Sequence, residues 1–518
     1  MSAANRTEEG MPRFPVSFWL ASSQRPAFGK LEQDLTVDVA VVGAGITGIT
    51  TAYLLAREGK RVALVEAGRL LNGTTGHTTA KITAQHGLIY DELMDRFGQD
   101  LVYFYYAANR DGAEFIRSMV QGMNIDCDYT EEDAYLYTIE EDNIRAIQRE
   151  YEAYKKLGIP GRLEDGIPLP VTASSAVVMP GQARFHPVKY LTRLLEEFIR
   201  WGGLVYENTV VETVEEGEPS VVVTQNGPKI TCLHVVSCSH FPIFETGLYF
   251  ARLHAESSYA LAVRVRRDVP TGMYLSVDDP NRSVRTIDND GEKLLLIGGE
   301  SHKTGQGECT SGRYESLIRF AQEHFDVSDV LYRWSAHDLV TLDKLPYVGR
   351  ATSKYPNSYV ATGFRKWGMT NGTAAAMLLK DLILGADNPY AKLFDPNRSV
   401  SAGGVKSFVS QNADVAKQYV QGKLDWMLKK PEHLEPGEGA WIRYNGKKAA
   451  AYRDPAGRLT VLDATCTHMG CEVNWNDGDK SWDCPCHGSR FNANGEVMAG
   501  PAVEPLKMLQ ETKEAAKR

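Results

Sequence analysis

Residues Leu35 to Val42 form an apolar, β-branched run, and the chain then passes through Gly43-Ala44-Gly45-Ile46-Thr47-Gly48. A helical pattern follows (Ile49, Ala52, Leu55) and stops at Gly59, and a second apolar run from Arg61 to Val65 ends in Glu66. Strand, G-x-G-x-x-G turn, helix, strand and terminal acid, in that order, specify a βαβ unit of the dinucleotide-binding kind. The glycines allow a tight turn and close approach to a pyrophosphate, which sits at the helix N-terminus where backbone N–H groups and the dipole favour an anion. Glu66 stands where it would accept the ribose hydroxyls, which disfavours a 2′-phosphate. A glycine-rich turn without ligand is the alternative, and the complete context weighs against it. A second such motif is missing: Gly298-Gly299 ends a strand pattern but lacks the third glycine and the helix.

Near its other end the chain reads Cys466-Thr467-His468-Met469-Gly470-Cys471 and then Cys484-Pro485-Cys486-His487-Gly488-Ser489. Cys466, His468, Cys484 and His487, in the arrangement C-x-H and C-x-x-H with fifteen residues between His468 and Cys484, are the ligand set of a Rieske [2Fe–2S] cluster. One iron takes two thiolates and the other two neutral imidazoles, which raises the potential above that of an all-thiolate ferredoxin. A structural zinc site also suits Cys and His pairs, but zinc asks for neither Gly470, Pro485 and Gly488-Ser489 nor a second Cys in each half. The segment resembles the cytochrome bc-type Rieske proteins. That resemblance implies a disulfide between Cys471 and Cys486, tying the two loops together, and a hydrogen bond from Ser489 to a bridging sulfide. Phe491 stands where those proteins usually carry Tyr. Fewer hydrogen bonds to sulfur favour the oxidised cluster, so an intermediate potential is expected. The other four of the eight cysteines (Cys127, Cys232, Cys238, Cys309) are scattered and imply no wider disulfide framework. In a reducing compartment the Cys471/Cys486 pair stays open to being a dithiol.

Four stretches between 35 and 385 resemble the D-amino-acid-oxidase and glycine/sarcosine-oxidase group of flavoproteins. They are the glycine fingerprint, Gly73-Thr74-Thr75-Gly76-His77-Thr78-Thr79-Ala80, Thr341-x-Asp343-x-x-Pro346-x-Val348-Gly349, and Tyr359 to Phe364 leading through Gly368 into a helix. Taken with the C-terminal motif, the chain is similar to a bacterial group that fuses such an oxidoreductase to a Rieske domain. The resemblance implies FAD as the nucleotide and a fold of three parts: an α/β Rossmann-like FAD-binding domain interleaved with an α+β substrate domain, plus a C-terminal all-β Rieske domain. The expected boundaries are an N-terminal arm over 1–34 and the FAD-dependent oxidoreductase over 35–394, its dinucleotide part at about 35–85, 185–240 and 340–385. A connector over 395–436 and the Rieske domain over 437–512 complete the chain.

Further flavin contacts are expected at Thr75, His77, Gly363, Phe364, Gly368, Met369 and Thr370, with the Val211 backbone on adenine. The helix from Met369 to Leu384, closed by Gly385, would aim its N-terminus at the flavin N1–C2=O edge, where Lys366 or Arg365 would also stabilise negative charge. His77 has two readings, a covalent link to the flavin 8α-methyl as in dimethylglycine- and sarcosine-dehydrogenase relatives, or a hydrogen-bonding residue of the flavin loop. Catalytic roles are unassigned; the candidates are His77, Lys81, Arg285 and Lys366. Relatives that act on amino acids clamp the substrate carboxylate with an Arg, but the comparable stretch, Trp334 to Asp338, offers none, leaving Arg285 as a substitute.

A net charge of −9 argues against nucleic-acid binding, and no run of eighteen apolar residues spans a membrane. The first thirty residues carry no apolar signal core, so a cytoplasmic location is expected. Helices are expected at 88–121, 143–157 and 187–201, strands at 220–224, 258–266, 282–287 and 293–297, and an amphipathic helix near 415–428 in the connector. Short strands at 441–444, 449–452 and 459–462 suit a small β-structure. A flavin takes two electrons and the cluster one. The expected function is therefore a dehydrogenase of an amine or amino acid passing electrons from FAD through the cluster to an external acceptor, with exposed His468 and His487 edges as the exit. An NAD(P)H-fed reductase delivering electrons to a redox protein, or a non-enzymatic relay, are the alternatives. A Rieske oxygenase is disfavoured, since no stretch supplies two His and a carboxylate for mononuclear iron.

Overall fold

A computed structural model of the chain describes residues 11–244, 247–307, 309–398, 402–422 and 428–511. An eight-stranded sheet runs Tyr347–Arg350, Ser358–Thr362, Lys229–Ser237, Leu35–Val42, Val62–Val65, Leu204–Tyr206, with Val211–Glu215 and Ser220–Thr224 attached beside Lys229–Ser237. Leu35–Val42 lies at its centre, paired in parallel with both neighbours. Val39, Ala40 and Val41 are fully buried, as the unbroken apolar run requires of a strand covered on both faces. Helix Ile46–Arg57 leaves the glycine turn and packs against helices Gly368–Leu384 and Pro187–Arg200. Sequence-distant segments thus close one nucleotide fold.

The second sheet has nine strands. Its order is Val327–Thr341, Leu253–Val265, Glu292–Lys303, Arg282–Asn289, Met273–Ser276, Thr130–Thr138, Ser175–Arg184, Lys81–Ile82, with Arg162–Glu164 on Ser175–Arg184. Lys81–Ile82 pairs here, with Arg184 and Ala183, so the first nucleotide segment ends before residue 81. The helix expected over 88–121 is two, Tyr90–Phe97 and Gln99–Gly122, broken at Gly98 with φ +78°. Strands Leu253–Val265 and Glu292–Lys303 outrun the apolar runs that announced them. Their extra residues are polar because they meet a cavity and another domain rather than the core.

Two four-stranded antiparallel sheets make up the C-terminal unit. One holds Glu438–Tyr444, Lys447–Arg453, Leu459–Asp463 and Met508–Glu511; the other holds Asn474–Asn476, Ser481–Asp483, Arg490–Asn492 and Val497–Ala499. The connector helix is Ala402–Gly422, earlier than expected, and 423–427 lie outside the described residues. It is tied to the second sheet, Asp414 accepting from Lys303 Nζ (2.8 Å) and Gln306 Nε2 (2.9 Å). The N-terminal arm lies on the flavin loop, where Trp19 Nε1 donates to the Thr78 carbonyl (2.7 Å).

Candidate redox site

The glycine turn is built so that backbone meets backbone. A Cβ on Gly43 (φ +99°) would come within 2.5 Å of the Cys238 carbonyl oxygen, and one on Gly48 within 1.9 Å of the Gly43 carbonyl oxygen. Glu66, at the end of its strand, accepts from the Ala44 N–H (2.8 Å) and the Gly68 N–H (3.1 Å), fixing the turn to the acid. Burial pushes its carboxyl above the usual range, opposed by those N–H groups. Thr75 Oγ1 accepts from the Ile46 N–H (3.1 Å), joining the second flavin loop to the helix start.

These groups open onto a cavity of about 1330 Å³, lined by Gly43 to Thr47, Glu66, Thr75, His77, Lys81, Val211, Phe364, Lys366, Gly368 and Met369. That exceeds a single drug-sized pocket, which runs to about 1,000 Å³, and suits a dinucleotide with substrate. Gly48, Gly363, Thr370 and Arg285 are absent from the lining. Gly363 (φ +76°) packs on Thr341, and Thr370 Oγ1 donates to the Thr83 carbonyl (2.9 Å). Arg285 is buried, donating to the carbonyls of Thr79 (2.6 Å) and Thr286 (2.9 Å), so the substitute carboxylate clamp does not reach the cavity. Lys81 donates to the Tyr274 carbonyl (3.1 Å), and burial, aided by Arg285, pulls its ammonium down to about 7. Lys366 pairs with Glu256 (3.2 Å) and donates to Ser301 Oγ (2.5 Å). His77 Nδ1 donates to the Gly73 carbonyl (2.9 Å), a loop-fixing bond. His86, buried between Tyr105 and Trp367, is drawn down to about 3 by desolvation and Arg365, and stays outside the lining.

The cluster loops repeat one geometry. Cys466 N–H donates to the Cys471 carbonyl (2.7 Å) and Gly470 N–H to the Cys466 carbonyl (3.0 Å). Correspondingly, Cys484 N–H donates to the Ser489 carbonyl (2.7 Å) and Gly488 N–H to the Cys484 carbonyl (3.0 Å). Gly470 (φ +76°) and Gly488 (φ +81°) make the same left-handed step. A disulfide joins Cys471 to Cys486. The Cys466 thiol is lowered to about 7, mainly by its hydrogen bond with Cys484, and the same bond raises Cys484. The His468 and His487 rings stand 5.1 Å apart, and His487 Nδ1 is buried with no hydrogen-bond partner. Two converging sulfurs beside two imidazoles, one with an orphaned nitrogen, fit a mixed thiolate–imidazole cluster. Ser489 hydrogen-bonds Cys466 and accepts from the Ala502 N–H (3.0 Å), while Phe491 is fully buried and offers no hydroxyl.

A model of the FAD-dependent oxidoreductase family matches residues 38–382, and a model of the Rieske [2Fe–2S] domain matches 426–510. The chain belongs to the FAD-dependent oxidoreductase family. Its oxidoreductase domain binds FAD and its Rieske domain binds a [2Fe–2S] cluster. The chain is 46% identical over 496 residues to the putative Rieske 2Fe-2S iron-sulfur protein YhfW of Bacillus subtilis, covering 96% of this chain and 97% of that one. It is 24% identical to the gamma-glutamylputrescine oxidoreductase of Escherichia coli, over 72% of this chain and 90% of the other. Glycine oxidase from Geobacillus kaustophilus shares the fold, with a TM-score of 0.60 at 19% identity, over 71% of this chain and all of that one. Among the described residues no helix is long and apolar enough to cross a membrane.

Within this family member the two cofactor units are in contact. A Cβ on Gly488 would fall 2.2 Å from Ala255 Cβ and 3.0 Å from His337 Nε2, and Gln306 Nε2 donates to the Pro485 carbonyl (3.3 Å). Phe241 lies against His468 (5.9 to 6.3 Å covers both ring pairs) and Phe250 against His487. Behind them a buried network joins the units: Arg490 pairs with Asp479 (2.7 Å) and Asp483 (3.0 Å), and Asp479 accepts from Ser335 Oγ (2.5 Å) and Tyr314 Oη (2.9 Å). His487 is 6% exposed, which corrects its expected exposed edge, while His468 stays half-buried; Phe241 and Phe250 pack on the two rings, and His468 and the glycine turn line one cavity. His240, His337 and Asp338 also line it. No motif marked them, since they come from strand and loop positions that only the fold brings together.

Proposed function

We propose that this protein is a flavin-dependent dehydrogenase of an amine or amino acid that passes electrons from FAD to its own Rieske cluster and on to an external acceptor. The observation that carries the reading is the inward-facing cluster: His468 lines the same cavity as Gly43 to Thr47, and the His487 loop rests on the strand pair Leu253–Val265 and Val327–Thr341. FAD would supply hydride acceptance and one-electron release when bound. Gly43 to Thr47 would receive the pyrophosphate, Glu66 the ribose, and the start of helix Gly368–Leu384 with Lys366 the negative charge of the reduced ring. The second sheet would cover the substrate side, while His337, between the Thr74 hydroxyl bonded to its carbonyl (2.6 Å) and Gly488, holds the two units in register. An NAD(P)H-fed reductase gains no support, because Gly298-Gly299 sits inside antiparallel strand Glu292–Lys303 rather than at a helix start.

Anaerobic mixing of the oxidised holoprotein with amines, N-methyl amino acids, D-amino acids, NADH and NADPH tests this. Bleaching of the flavin band together with the EPR signal of the reduced cluster, on adding an amine or amino acid, is the expected result. Both signals with NADH alone would reverse the direction of electron flow.

A further inference from the structure

Asp338 is a buried carboxylate of the cavity that the fold leaves unanswered. It is 6% exposed, lines the cavity, and its side chain makes no hydrogen bond or ion pair among the described residues. Directly opposite on the neighbouring strand stands Glu256. Glu256 has what Asp338 lacks: Lys366 at 3.2 Å and His254 at 3.3 Å. Like charges paired across a ladder repel, and a buried carboxylate without a partner is costly to ionise. Burial accordingly pushes Asp338 up to about 7, against the pull of Lys366.

Three cations of the same lining are ion-paired. Arg69 pairs with Glu207 (2.5 Å), Arg490 with Asp479 (2.7 Å) and Lys366 with Glu256 (3.2 Å). Lys81 and Arg365 donate to the carbonyls of Tyr274 (3.1 Å) and His86 (3.1 Å). The buried Asp338 carboxyl therefore stands without a partner, while three of these five cations are ion-paired and the other two hold backbone carbonyls. We propose that Asp338 is the substrate-binding anion of this cavity and takes an ammonium group, so that the substrate is an alkylamine or diamine cation rather than an amino acid held through its carboxylate. This rests on the dehydrogenase reading above and narrows its substrate class.

The probes are tert-butylammonium and pivalate, isosteric ions of opposite charge. Neither carries a hydrogen on the carbon bearing the charged group, so tert-butylammonium binds without being oxidised. Isothermal titration of the FAD-loaded, full-length protein should give saturable binding of tert-butylammonium at least about tenfold tighter than that of pivalate. Asp338→Asn, which keeps the shape, should weaken the ammonium by about tenfold or more and leave pivalate unaided. Equal or tighter binding of pivalate, binding of neither ion, or an ammonium affinity untouched by Asp338→Asn would each overturn the assignment. The wild-type comparison stands even if the variant folds poorly. Failure of the parent reading looks different: tert-butylammonium binds through Asp338, yet no amine or amino acid bleaches the flavin.

Discussion

His186 caps helix Pro187–Arg200 through an unprotonated ring nitrogen: Nδ1 accepts from the Lys189 N–H (3.3 Å), and Nε2 meets Ser22 Oγ at 3.0 Å. Desolvation, with Lys189, pulls its pKa down to about 3 from 6.5. The unfolded chain therefore binds a proton that the native chain refuses, and stability is lost as pH falls from about 6.5 towards 3, at about 1.4 kcal/mol per pH unit for one group. His186→Asn, a cap that does not titrate, should flatten the fall by about that slope in urea titrations between pH 4 and 6.5. The cluster offers a second residue-scale test. Phe491 is buried beside Cys466 and Cys484 with no hydroxyl. A hydrogen bond to a charged group is worth about 1.5–3 kcal/mol, and about 1.4 kcal/mol is about 59 mV for one electron, so Phe491→Tyr should raise the midpoint by about 60–130 mV in voltammetry. The cluster ligands and the glycine turn were legible because their chemistry fixes residue type and spacing. Asp338 and His337 were not, since a lone acid or histidine in a strand carries no spacing to read.

At the scale of elements, the flavin site depends on how closely two helices approach. A Cβ on Gly372 would lie 2.6 Å from Thr47 Oγ1 and 3.1 Å from Ile46 Cγ2, so helix Gly368–Leu384 sits on the start of helix Ile46–Arg57 only because this position is glycine. Gly372→Ala gains up to about 1 kcal/mol of helix propensity, yet should force the helices apart and weaken FAD retention about tenfold or more. Release of flavin fluorescence on dilution reads this directly. Helix Gly368–Leu384 was visible in the sequence from its Ala- and Leu-rich run and from Gly385, left-handed at φ +73°. Strands such as Val327–Thr341 were not. Their residues serve core, cavity and domain interface in turn, which blurs the two-residue period.

For the whole molecule, the joint between flavoprotein and Rieske unit is hydrogen-bonded to a buried ionic cluster, Ser335 and Tyr314 donating to Asp479. The side chains of Arg490 and its partners Asp479 and Asp483 are 7%, 3% and 2% exposed. Removing the cation strands two buried carboxylates, and breaking such a pair costs about 3–5 kcal/mol. Arg490→Met should lower stability by that amount in denaturant titration, and should split calorimetric unfolding into two transitions if this network couples the units. A joint of this kind could not be foreseen, because hydrogen bonds between residues 144 positions apart, such as Ser335 to Asp479, leave no local pattern.

The inward-facing histidines also set a traffic rule. A donor that arrives with two electrons meets a store with room for one, and the inner of the two imidazoles is walled off by Phe250 and the strand pair behind it. On the proposed function, the second electron of each turnover waits until the first has left past the half-buried rim of His468. The speed of the whole cycle then belongs to whatever collects electrons at that rim, and crowding the solution with substrate would lengthen the queue without shortening the wait.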